Sequence, residues 1–119
     1  MLDDLWLSNR ALDRRFPKGI DPFQMVSRLA EECGELAAEV QHWEDTGLKR
    51  AKLGPPDPKH TAKEVMDVLR AALQIASHYE LGDLVEATIR ESVAYAVDEG
   101  LLSVEEVAAH RSRTPSQSG

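Results

Sequence analysis

The chain has one cysteine in 119 residues, Cys33, so it cannot close an internal disulfide; the compartment reads as reducing or irrelevant. Lying within a helical pattern, Cys33 is expected to be a small buried filler. Basic residues are in deficit, 14 Lys and Arg against 21 Asp and Glu. That balance argues against a broad nucleic-acid-binding face and favours small ligands or metal, and any phosphate would need a cation to bring it in. No run approaches the length of a membrane span, and the opening Met1-Leu-Asp-Asp-Leu-Trp has neither a basic n-region nor an unbroken apolar stretch. The chain therefore reads as cytoplasmic, soluble and without a membrane partner. Strand-like alternation is also missing, as are a Gly-rich phosphate loop and a Walker-type lysine. Glu39-Val-Gln-His42 has the Glu-x-x-His spacing of di-iron bundles, but a second such motif is absent. His42 is expected at a partly exposed surface or pocket wall.

What is present is helix. Leu2, Leu5, Trp6 and Leu12 mark a short amphipathic opening helix that stops before Phe16-Pro17. Asp21-Pro22 supplies an N-cap and a first-turn proline. Phe23, Val26, Leu29, Ala30, Cys33, Leu36, Ala37, Val40 and Trp43 then recur at three and four, predicting a long helix that closes near Gly47. Residues 46–58 contain Gly54-Pro-Pro-Asp-Pro58 and are predicted to form a loop. From about Lys59 to Leu81 the apolar positions predict a second long helix with Gly82 as its stop; Asp83 is predicted to cap a third, ending at Gly100. Ser103 with Glu106 fits a capping box for a fourth segment. The expected organisation is one helical domain over 1–110 and a disordered tail over 111–119, which has no apolar residue to bury.

The acidic residues carry the functional signal. Glu31-Glu32-Cys33-Gly34-Glu35 is followed, after a 28-residue gap, by Glu64-Val65-Met66-Asp67. Glu32 and Glu35 lie three apart, as do Glu64 and Asp67, so each pair can aim two oxygens at one point. If the long helices pair antiparallel, Glu35 lies ~14 Å before the first ends and Glu64 ~8 Å after the second begins, at ~1.5 Å per residue. The two pairs are then roughly level. Carboxylates so gathered repel one another unless a hard divalent cation sits among them. Each half alone has a plainer account: Glu31, Glu32, Glu35 and Glu39 as a solvated helix face, and Thr61 to Glu64 as a capping box. The combination is rarer than either part.

Glu-Glu-x-x-Glu, 28 residues, then Glu-x-x-Asp resembles the signature of the MazG-like all-α nucleoside triphosphate pyrophosphohydrolases, which include dimeric dUTPases and phosphoribosyl-ATP pyrophosphohydrolase. The likeness runs from about Phe16 to Leu81 and is strongest at Leu29-Ala-Glu-Glu-Cys-Gly-Glu-Leu36 and Glu64-Val-Met-Asp-Val-Leu69. It implies Mg²⁺, with Mn²⁺ as a substitute, bound by Glu32, Glu35, Glu64 and Asp67. It further implies Glu31 as the residue that orients or deprotonates the attacking water, with Phe16 and Trp43, or His42, at the base. Members often carry a Lys, Asn and Arg cluster on the third helix for the phosphates; here that region holds only Arg90. Lys63 and Arg70, flanking the second acidic pair, are the candidate substitutes. The implied substrate is a nucleoside triphosphate. The contrasting reading is a non-catalytic helical interaction protein with solvated acidic faces.

The expected architecture is all-α, an antiparallel helical hairpin with flanking short helices. Two long helices with broad apolar stripes leave much surface uncovered in so short a chain. A four-helix core formed between subunits, in a homodimer or a dimer of dimers, is therefore expected.

Overall fold

Aspartate and proline open the long helices. The computed structural model describes residues 2–16 and 21–113, which hold six helices and no strand. The chain is all-α. Helix α1 (Leu2–Arg15) is followed by α2 (Pro22–Glu44), whose cap is reciprocal: the Asp21 carboxylate accepts from the Gln24 backbone N–H at 2.9 Å. The Gln24 side-chain oxygen accepts from the Asp21 N–H at 3.0 Å. α2 closes at Asp45 in the left-handed region (φ 57°), two residues before the glycine expected to end it. Aspartate tolerates that conformation better than most residues.

The loop expected over 46–58 contains a one-turn helix, α3 (Lys49–Leu53), ended by Gly54 at φ 76°. The prolines restrict only the residues after Gly54. Helix α4 (Pro58–His78) is capped by Asp57, whose carboxylate accepts from the Lys59 N–H at 3.0 Å. Thr61 is thus inside the helix, and the Thr61–Glu64 capping box does not form. α4 ends three residues short of Leu81, at a turn where Glu80 is left-handed (φ 57°), and Gly82 opens α5 (Gly82–Asp98) instead of stopping α4. Asp83 lies in the first turn of α5 and makes no capping bond. The Ser103–Glu106 box forms with both bonds, 3.0 and 3.1 Å, and opens α6 (Val104–Arg113). Residues 111–113 are helical, while 114–119 lie outside the described residues.

The contacts among the described residues divide into two units, 2–79 and 80–113. In the first, α4 packs along α2 on one flank and against α1 on another. Among the described residues the buried apolar ones are few: Met25, Ala71 and Leu73. Buried beside them are Asn9, Glu39, His42, Glu64 and Asp67, an unusually polar interior. α2 is rotated so that Met25, Glu32 and Glu39 face α4, leaving Val26, Ala30, Cys33, Ala37 and Val40 exposed. Cys33 is therefore not a buried filler and Glu39 is not on a solvated face. His42 is buried rather than a surface group, its Nε2 donating to the Gly54 carbonyl at 2.7 Å. In the second unit, α5 and α6 bury no residue fully.

Candidate metal centre

Three carboxylates from two helices converge. Glu32 and Glu35 of α2 and Glu64 of α4 each present an oxygen within 4.8 Å of the others. A six-coordinate Mg²⁺ with ~2.1 Å bonds sets its ligand oxygens about 3 Å apart when adjacent and about 4 Å when opposite. The trio is therefore close to a chelating spread. Glu32 Oε2 and Glu64 Oε2 are buried with no hydrogen-bond partner. Burial raises the Glu32 pKa, and the charges of Glu35, Asp67 and Glu64 raise it further. Glu64 is raised likewise by burial, then by a hydrogen bond and charge from Glu35. Both groups resist ionisation among neighbours of like charge.

Asp67, the fourth acid of the motif, is buried nearby but does not join that trio. Its Oδ2 accepts from Lys63 Nζ at 2.8 Å and its Oδ1 from Arg70 Nη2 at 3.0 Å. The partnership raises the Lys63 pKa, chiefly through that hydrogen bond. Arg70 is also tethered to α1: its Nη1 donates to Ser8 Oγ at 3.2 Å, and its carbonyl accepts from Asn9 Nδ2 at 3.2 Å. A cleft of about 10 Å³, room for roughly one water, lies here, with Arg28 and Glu32 on one wall and Asp67 and Arg70 on the other. Arg28, four residues before Glu32, carried no signal in the sequence.

One turn toward the α3 side lies a network the sequence did not reveal. Glu39, 2% exposed, accepts from Lys49 Nζ at 3.1 Å, Thr61 Oγ1 at 2.9 Å and His60 Nδ1 at 2.8 Å. The His60 bond is the main cause holding the Glu39 pKa at about 2, with Thr61 and Lys49 assisting against burial. His60 is raised in turn by Glu39, and its Nε2 lies 3.5 Å from Glu64 Oε1, so the network touches the metal-type cluster. Trp43 donates its indole N–H to Thr61 Oγ1 at 2.9 Å and stays 44% exposed. One signal was available: Glu39 follows Glu32 by seven residues, two turns on the same face.

The remaining candidates lie outside the trio. Glu31 is exposed and one turn before Glu35, on the same side of α2. Phe16 is 61% exposed at the end of α1, with the Arg15 guanidinium 5.8 Å from its ring centre. The chain has no match among protein-family models, curated proteins or solved structures.

Proposed function

We propose that the chain is a Mg²⁺-dependent nucleotide pyrophosphohydrolase of the MazG-like kind, cleaving a nucleoside or deoxynucleoside triphosphate to the monophosphate and pyrophosphate. The observation that carries this reading is the convergence of Glu32, Glu35 and Glu64, two of them with a buried, unpartnered oxygen. An all-oxygen donor set suits a hard cation, and Mg²⁺, or Mn²⁺ in its place, would be held by these three with Asp67 as the fourth. When bound, the cation supplies positive charge against the phosphate oxygens and acidifies nearby water. Glu31, exposed beside Glu35, orients the attacking water and takes its proton. The water oxygen bonds to the α-phosphorus, the bond to the bridging oxygen breaks, and pyrophosphate leaves. Phe16 and Trp43 are the candidates for stacking on the base.

The proposed assembly is a dimer in which the α2–α4 hairpin is half of a four-helix core. On α2, Val26, Ala30, Cys33, Ala37 and Val40 form one uncovered stripe. On α4, Ala62, Val65, Leu69 and Ala72 form another. Contacts pair Glu39 with His60 and Thr61, and Glu35 with Glu64, so the pairing descends α2 as it climbs α4. In an antiparallel pair both stripes, each about 100° from the packed seam at 3.6 residues per turn, fall on one side. Glu31, Glu35, Lys63 and Arg70 turn to the other. One face would thus be apolar and the opposite face would hold the chemistry.

The test is pyrophosphate release from a panel of nucleoside and deoxynucleoside triphosphates with Mg²⁺. Release with equimolar monophosphate is expected, and Glu32→Gln should abolish it without loss of helical signal. No release from any nucleotide, with no Mn²⁺ binding by calorimetry, would sink the proposal.

A further inference from the structure

We propose that Lys63 and Arg70 are the phosphate grip of this site, held in reserve on Asp67 and handed to a polyphosphate chain when a divalent cation draws Asp67 away. The inference rests on the pyrophosphohydrolase reading and supplies what the sequence left open, the groups that hold the phosphates. Asp67 has two oxygens and each is taken by a different cation, at 2.8 and 3.0 Å. While both pairs stand, Asp67 is a weaker metal ligand and its charge offsets that of the two cations, which lowers their pull on an anion. With a divalent ion and a di- or triphosphate bound, Asp67 would serve as a ligand of the ion, and Lys63 and Arg70 would turn their donors to the phosphate oxygens.

Charge supports the exchange. Glu32, Glu35, Glu64 and Asp67 against Lys63 and Arg70 leave two negative charges when all six are ionised, which one divalent ion balances. The freed cations then meet the polyphosphate in a neutralised site. Their types also suit the ligand. Arg70 has its guanidinium steadied by Ser8, so its planar fork can be presented in a fixed orientation, while Lys63, largely exposed, acts as a mobile point charge. Arg28 adds positive charge on the facing wall, where it favours the ionised form of Glu32.

The experiment is calorimetric titration of inorganic pyrophosphate into the full chain in EDTA. Wild type should bind weakly. Asp67→Asn, which frees both cations, should bind at least about tenfold tighter; Lys63→Gln or Arg70→Gln added to it should remove the gain. Glu32→Gln deletes the same charge but leaves both pairs intact, and should gain nothing. Equal gains in Asp67→Asn and Glu32→Gln would show only a change in net charge and overturn the proposal, as would no gain in Asp67→Asn.

Arg70→Gln alone supplies a check that does not depend on the Asp67 variant folding. It should bind Mn²⁺ more tightly, because Asp67 is partly released, yet bind pyrophosphate with Mn²⁺ less tightly. Loss of both affinities would mean a structural role and would overturn the inference. If wild type neither hydrolyses nucleotides nor binds Mn²⁺, the pyrophosphohydrolase reading falls; if it does both and Asp67→Asn gains nothing, only the reserve falls.

Discussion

Glu39 shows how little a residue's type says about its place. It has the spacing of a surface glutamate, yet it is 2% exposed and receives hydrogen bonds from three side chains. Its pKa, lowered from 4.5 to about 2, means that its contribution to stability is present above pH 4.5 and is lost as pH falls toward 2. His60 is raised above 6.5, so its share is full below pH 6.5 and fades as pH rises through the folded value. The pair is therefore predicted to stabilise most between about pH 4.5 and 6.5. Glu39→Gln should cost about 1–3 kcal/mol in urea unfolding at pH 6, a buried charge-assisted bond having been lost, and should flatten the stability profile on both sides. An unchanged profile would show that His60 and Glu39 do not titrate together.

At the scale of elements, the sequence located the helices better than their ends. Asp21-Pro22 was readable because a cap and a first-turn proline act within four residues. The same Asp-Pro pair at Asp57-Pro58 opens α4, but the Thr61–Glu64 spacing offered a rival cap, and only the packed helix shows Thr61 bonded across to Glu39. Asp57→Ala is predicted to lower stability by about 1 kcal/mol, the usual loss of an N-cap, read from the urea midpoint. Thr61→Val should lower it through the Glu39 network instead, and in the Glu39→Gln background its effect should shrink. Simple addition of the two losses would place Thr61 outside that network.

For the whole molecule, the division of labour between faces leads to a prediction about assembly. Two apolar stripes are left open on α2 and α4, and in the proposed dimer each copy would offer the same stripes to the other. Val40→Glu or Leu69→Glu should shift sedimentation from dimer to monomer and make the melting temperature independent of protein concentration. A dimer that persists in both variants would place the interface elsewhere. The class of the fold, all helix, was legible from spacing and from the absence of alternation. Apolar residues at three and four do not depend on what surrounds them.

The sequence by itself determined which residues lie on which helix and that four acids recur in two pairs three apart, because both follow from local periodicity. Tertiary structure decided how far each helix is turned. The α2 pattern carries two adjacent stripes, one apolar and one holding Glu32 and Glu39, and only packing against α4 chose the second to face inward. It also decided which acids of different helices meet, Glu32 and Glu35 with Glu64, and set α1 against Arg70, whereas the Lys63–Asp67 and Asp67–Arg70 pairs, four and three residues apart on α4, follow from helix spacing. The meeting of Glu32 and Glu35 with Glu64, and of Arg70 with Ser8, depends on side chains tens of residues apart, which no local spacing records.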